Sequence, residues 1–139
     1  MDERYVEGRK RIEHFFIPEN RVADSRELVV SPSGHYELEI WQYSTGPNTW
    51  KYSRGIVMRI SDHKVVADVK RNFGHFWHAW VEHANGNEYL LCGEDYQGYS
   101  IVNLTKETYD VFFPESGYKG FGFCWGAVYP SPDSVVLAV

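Results

Sequence analysis

The sequence predicts an all-β fold made of antiparallel, four-stranded meanders. Aromatic residues make up 17% of the 139 residues, and together with 12 glycines and 6 prolines they favour strands and tight turns over helices. Short apolar segments alternate with turn-forming segments along most of the chain. The stretch Phe73–Trp80 is repeated in part by Phe121–Val128, where a Phe-Gly pair, a tryptophan and an alanine return at the same spacing. Such a repeat indicates a structural unit that is used more than once.

Residues 1–24 are predicted to be an N-terminal segment that ends in a turn. Ile12, Phe15 and Phe16 have helical spacing, but the segment His14–Ile17 stands directly before a proline and also fits a strand. Because the rest of the chain is β-like, we predict a strand here.

Residues 25–75 are predicted to form a first repeat of about four strands. In its second strand, Tyr36, Leu38 and Ile40 alternate with glutamates, which is the period of a half-buried strand.

An aromatic hairpin follows in the same repeat. A turn centred on Gly46-Pro47 would place Trp41 opposite Tyr52 and Tyr43 opposite Trp50. All four side chains would then lie on one face of the sheet, either as core or as an exposed platform for a peptide or a sugar.

Residues 76–122 are predicted to form a second repeat, and residues 123–139 the start of a third. Three turns separate an apolar strand from the next strand: Ser31–Gly34, His83–Asn87 and Ser131–Ser134.

These turns resemble the Ser-Pro-Asp-Gly-like turns in the repeats of WD40-like and TolB-like β-propellers. The resemblance covers about residues 25–139 and implies blade-like units, about two and a half of them, in a partial β-propeller. An open β-meander or a β-sandwich is the alternative architecture. Val135–Val139 is predicted to be an apolar edge strand, which we expect a continuing propeller or a second copy of the chain to cover.

Composition excludes several classes of partner. The net charge of −5 argues against nucleic acid, because phosphate binding needs a basic face. No apolar run approaches the roughly 20 residues that cross a bilayer, so we expect no membrane association. Cys92 and Cys124 do not form a disulfide framework, and we therefore expect reduced thiols and a cytoplasmic location.

The polar residues do not form a recognisable catalytic or metal-binding motif. His75 and His78 are an odd number of residues apart, so on one strand they would point to opposite faces. We therefore expect no metal and no cofactor. In the linker Gly93–Tyr99, two glycines bracket two carboxylates and a tyrosine, which suits a turn that presents polar groups. The candidate binding residues are Trp41, Tyr43, Trp50, Tyr52, His75, His78, Glu94, Asp95 and Tyr96.

The sequence favours a non-catalytic, propeller-like interaction module with a protein or peptide partner. The first alternative is a domain that binds a small molecule or a glycan through the aromatic hairpin. The second is an enzyme with a centre of histidine, glutamate and aspartate side chains. In the repeated stretch, His75, His78 and Trp80 do not recur, so any function of that stretch depends on these three side chains.

Overall fold

The computed structural model describes residues 3–94, 98–112, 129–130 and 137–138, which are mostly antiparallel β-strand. The chain divides into two compact units, one formed by Arg9–Phe76 and the other by Met1–Gly8 with Trp77–Val139. Each unit contains one four-stranded antiparallel sheet. The predicted all-β fold of four-stranded meanders is confirmed.

The first sheet contains β1 (Glu27–Val30), β2 (Tyr36–Ser44), β3 (Lys51–Arg59) and β4 (Lys64–Arg71). Its strands are hydrogen-bonded in chain order, so it is a simple meander. All four strands lie between residues 25 and 75, where the sequence places the first repeat.

The second sheet contains β5 (His78–Glu82), β6 (Glu88–Glu94), β7 (Gly98–Asn103) and β8 (Thr108–Phe112), again in chain order. Its strands lie between residues 76 and 122, where the sequence places the second repeat.

A short antiparallel pair lies near the end of the sequence. β9 (Tyr129–Pro130) pairs with β10 (Leu137–Ala138). The repeated stretch Phe121–Val128 and the rest of the predicted edge strand Val135–Val139 lie outside the described residues.

The prediction of a strand at His14–Ile17 is wrong. Helix α1 spans Glu3–Ile12, and two short 3-10 helices follow at Glu13–Phe15 and Pro18–Asn20. A glutamate in the first turn of α1 and three basic residues in its last turn complement the helix dipole. None of the described helices is long and apolar enough to cross a membrane.

The corresponding turns of the two sheets have the same backbone geometry. In the first turn of each sheet, Gly34 and Gly86 have φ angles of 78° and 88°. Their N–H groups donate to the carbonyl oxygens of Ser31 and His83 at 2.9 and 3.0 Å. A residue other than glycine rarely adopts such φ values, so these two glycines allow the chain to turn from one strand into the next. In the third turn, His63 and Glu107 also share a positive φ, of 58° and 57°.

Asp62, in the third turn of the first sheet, provides a test of this turn. Arg59 donates two hydrogen bonds to its carboxylate, at 3.0 and 2.6 Å, and these lower the pKa of Asp62 to about 2. A carboxyl whose pKa is lowered by folding stabilises the protein above its unfolded pKa of roughly 4 and loses that effect as the pH falls towards 2. We expect Asp62→Asn to lower the urea midpoint slightly at neutral pH and not at all near pH 2. Urea titrations at both pH values measure this, with Asp24→Asn as the control, and an equal loss at both would contradict it.

The inner face of the first sheet carries Leu38, Val57 and Val69, which are fully buried. The chain returns over this face after β4, through Asn72–Phe76, which we call the return segment. The ring of Phe76 lies directly on Gly55 of β3, where no side chain intervenes.

Three side chains of the first sheet hold the return segment by its carbonyl oxygens. Gln42 Nε2 donates to Gly74 O at 2.9 Å, Ser53 Oγ donates to Phe73 O at 2.7 Å, and Arg71 donates to His75 O at 2.9 Å. Ser53 and Arg71 are both fully buried. Because buried polar side chains need partners, these bonds account for Ser53 and Arg71 within an otherwise apolar face.

The second sheet has buried residues on both faces. Val81 and Leu91 pack with Ala79, Tyr89 and Ile101 on one of them. The other face carries the fully buried residues Leu90, Cys92 and Ser100, and the hydroxyl of Ser100 lies 2.7 Å from that of Tyr109.

Candidate interaction surface

The aromatic hairpin has a different register from the predicted one. Tyr43 lies opposite Tyr52, and Trp41 lies opposite Arg54, so the predicted pairs Trp41–Tyr52 and Tyr43–Trp50 are wrong. The pairing continues to Ser44 and Lys51, beyond which the chain closes in a loop. A shift of two residues keeps each side chain on its face, so Trp41, Tyr43 and Tyr52 still share one face of the sheet, the outer face.

The N-terminal segment covers these aromatic residues at one end of the outer face. Phe15 stacks on Tyr52 with ring centroids 4.3 Å apart, and Phe16 meets Tyr43 edge-on at 5.1 Å. Tyr43 and Phe16 are buried, and burial raises the pKa of Tyr52. Arg21 lies over the ring of Trp41 at 4.2 Å. Three of the four hairpin aromatics therefore belong to a small core.

Trp50 differs from the other three because it lies in the loop before β3. It is 53% exposed, its ring meets Phe73 edge-on at 5.9 Å, and its Nε1–H donates to Asn72 O at 3.3 Å. Trp50 therefore packs on the return segment and leaves much of its surface accessible.

The polar candidate residues lie in different parts of the chain. His75 is exposed in the return segment, within the first unit. His78 belongs to β5 in the second unit, opposite Cys92, with its ring 6.1 Å from that of Trp80. Glu94 is the last residue of β6, and Asp95 and Tyr96 lie outside the described residues. Within the part of the chain that is described, no three His, Cys, Asp or Glu side chains form a group that could hold a metal ion.

The structure reveals a surface that the sequence analysis missed, at the other end of the outer face. Five apolar residues from three strands lie there, and we call them the outer-face patch: Leu28, Val30, Ile56, Met58 and Val65. Three of these side chains are largely exposed: Leu28 at 45%, Val30 at 55% and Val65 at 56%. Large apolar side chains grouped on one face in this way are typical of binding surfaces.

The pattern of apolar residues in the sequence does not predict which residues form this patch. Leu28-Val29-Val30 and Ile56-Val57-Met58 are uninterrupted apolar runs, in which the middle residue faces inward and its neighbours face outward. An unbroken run does not show which face is buried, so the outward residues could not be identified from periodicity.

Carboxylates lie within and beside the outer-face patch. Glu37 lies in one cross-strand row with Val30 on one side and Met58 on the other, and it makes no ion pair among the described residues. Its neighbour Glu39 accepts a hydrogen bond from Arg26 at 2.8 Å. Glu27, at the start of β1, is exposed and also has no ion pair in the described part of the chain. On the outer face, the apolar side chains of β1 and those of β3 and β4 therefore flank the carboxylates of β2, of which Glu37 has no ion pair among the described residues.

An ion pair lies on the outer face between the outer-face patch and the aromatic residues Trp41, Tyr43 and Tyr52. Arg54 donates two hydrogen bonds to the carboxylate of Asp68, at 2.9 and 2.7 Å, and this pairing raises the pKa of Arg54 above its usual value. Because both partners are held by each other, neither charge neutralises Glu37.

β1 also has an open edge. In the adjoining turn, Ser31 N–H donates to Tyr36 O at 2.8 Å, so Ser31 and Tyr36 form a hydrogen-bonded pair. Bonded and non-bonded pairs alternate in an antiparallel ladder, which makes Val29 bonded to β2 and leaves the N–H and C=O groups of Leu28 and Val30 pointing away from it. Among the described strands, β1 pairs with β2 alone.

Most of the chain is similar to part of a larger viral protein. Uncharacterized protein R762 of Acanthamoeba polyphaga mimivirus is 34% identical over 125 residues. The match covers 90% of this chain and 48% of the relative, so the chain spans about half the length of the curated relative it matches. No family model matches the chain, and no solved structure matches it.

Proposed function

We propose that the chain is a non-catalytic, propeller-like interaction module that binds a protein or peptide through the outer-face patch. The observation that carries this proposal is the exposure of Leu28, Val30 and Val65, at 45%, 55% and 56%, on one face of a single sheet. Covering such side chains removes apolar surface from water, which is the main favourable term in protein association.

The repeated architecture supports the propeller-like part of the proposal. Each unit holds a four-stranded meander, and the first and third turns of the two meanders share their unusual φ angles. A blade of a propeller is a four-stranded meander of this kind. The relative is about twice as long as the matched region, which leaves room for further units.

The state of Cys92, the one cysteine in the described part of the chain, supports a reducing compartment. Cys92 is a free cysteine and is fully buried in β6. A buried thiol of this kind acts as a small apolar residue. In this proposal the module works in the cytoplasm.

The proposal is tested by selecting peptide ligands from a random displayed library and locating where they bind. The chain contains two methionines, of which Met58 lies in the outer-face patch, so methyl-labelled methionine provides a specific nuclear magnetic resonance probe. We expect selected peptides to shift the Met58 methyl signal, which Met58→Leu identifies by its loss.

Matched variants determine whether the selected peptides bind at the outer-face patch or at Trp50, in the loop before β3. We expect Val30→Glu and Val65→Glu to weaken peptide binding about tenfold or more, because each places a charge against apolar ligand surface. Trp50→Ala, outside the patch, should leave binding unchanged. Failure to select any peptide, or ligands that respond to Trp50→Ala and not to the two glutamate variants, would contradict the proposal.

A further inference from the structure

We infer that β1 is the docking strand of this module, and that it takes an extended partner segment in which apolar residues alternate with lysine or arginine. The segment adds to the open edge of the first sheet as a fifth strand. This inference rests on the proposed function and names the chemistry of the bound partner.

The backbone of β1 is prepared for such an addition. The N–H and C=O groups of Leu28 and Val30 point away from β2, and β1 is exposed along most of its length. Strand addition supplies main-chain hydrogen bonds to groups of this kind, while alternate side chains supply specificity.

Most of the usual protection of an edge strand is missing from β1, whose one charged residue, Glu27, stands on the inner face at its first position. Natural edges are blocked by proline, by lysine, by a bulge or by an inward-pointing charge. β1 has the sequence Glu-Leu-Val-Val, contains no proline or lysine, and pairs with β2 in unbroken register. The one bulge in the first sheet lies between β3 and β4 instead.

The side chains of β1 define the pattern of the partner. Residues added opposite Leu28 and Val30 lie on the outer face, where they extend the outer-face patch, and so they are apolar. The residue added opposite Glu27 lies on the other face, beside an exposed carboxylate that has no ion pair in the described region. An opposite charge directly across two strands is stabilising, so this residue is basic.

The same charges argue against a second copy of the chain as the occupant. Two outer-face patches brought together would also bring Glu37 of each copy close to the other patch, and β1 of a second copy carries no basic residue to pair with Glu27. Like charges placed opposite each other are destabilising, and the chain carries a net charge of −5.

The test uses a short peptide with blocked ends in which lysine alternates with valine, and a second peptide with glutamate in place of lysine. Isothermal titration calorimetry with the full chain measures both affinities. We expect the lysine peptide to bind and the glutamate peptide to bind at least about fivefold more weakly. Glu27→Lys should reverse this preference.

A proline variant tests the main-chain bonds. Leu28→Pro removes a donor that points to the open edge and leaves the bonds between β1 and β2 in place, so it should weaken binding about tenfold without changing the urea midpoint. Leu28→Ala is the control for the lost side chain, and Val29→Pro, which removes a bond to β2, should lower the urea midpoint.

The possible outcomes separate this inference from the proposed function. If Leu28→Pro binds the lysine peptide as the wild type does, strand addition is wrong, and if both peptides bind equally, the basic character of the partner is wrong. If library-selected peptides shift Met58 but ignore Leu28→Pro and Glu27→Lys, the interaction function stands and this inference fails. A dimer in sedimentation experiments that Leu28→Pro abolishes would replace the basic partner with a second copy. If no peptide binds, both proposals fail.

Discussion

Replacing Gly55 with alanine should lower the free energy of unfolding by about 3 kcal/mol or more, at the upper end of what overpacking costs. A Cβ atom at this position would lie 2.4 Å from Cζ of Phe76 and 2.8 Å from both Cε atoms. The Phe76 ring cannot give way easily, because the return segment that carries it is held by hydrogen bonds to Gly74 and His75. Urea unfolding followed by tryptophan fluorescence measures the loss.

Two further variants determine whether the contact between Gly55 and Phe76 is the cause. In Gly46→Ala, the nearest atom to the new Cβ lies 4.0 Å away, so this variant should unfold close to the wild-type midpoint. Combining Gly55→Ala with Phe76→Leu should cost less than the sum of the two single changes, because the smaller side chain frees the space. Additive losses in the double variant would show that the ring does not cause the effect.

Replacing Phe16 with alanine should lower the free energy of unfolding by about 3 kcal/mol, the usual cost of truncating a buried phenylalanine. Phe16 is 8% exposed and meets the rings of Tyr43 and Tyr52 edge-on, at 5.1 and 6.0 Å. The neighbouring residue supplies a matched control, because Ile17 is 44% exposed. Ile17→Ala should cost less than about 1 kcal/mol.

The result for Phe16 bears on function as well as on stability. If the Phe16 and Ile17 variants lose the same stability, the N-terminal segment does not cover the hairpin, and Tyr43 and Tyr52 return as candidates for an exposed platform. If Phe16→Ala alone is destabilised, these tyrosines serve the core. The outer-face patch then remains as the accessible part of that face.

The strands of the first sheet could be predicted where one face is buried and the other is not. Tyr36, Leu38 and Ile40 alternate with glutamates in β2. Tyr36 and Ile40 are buried on the same face of the sheet as the fully buried Leu38. The turns at Gly34 and Gly86 could also be predicted, because a positive φ strongly favours glycine.

The N-terminal helices and the hairpin register could not be predicted in the same way. Ile12 and Phe16 have a spacing that fits a helix, but a short apolar run before a proline also fits a strand, and only the packing against Tyr43 decides between them. The register depends on how the loop closes, through the bond between the hydroxyls of Ser44 and Thr49 at 2.7 Å, which no composition rule specifies.

The all-β class, the four-stranded meanders and the turns at Gly34 and Gly86 follow from the sequence, because alternation and glycine act locally. Which apolar residues remain exposed follows only from the way the strands pair and pack. Leu28 and Val29 are neighbours of similar character, but the pairing of β1 with β2 turns one outward and the other inward. Exposure depends on what packs on each face of the sheet, and that is set by residues far away in the chain.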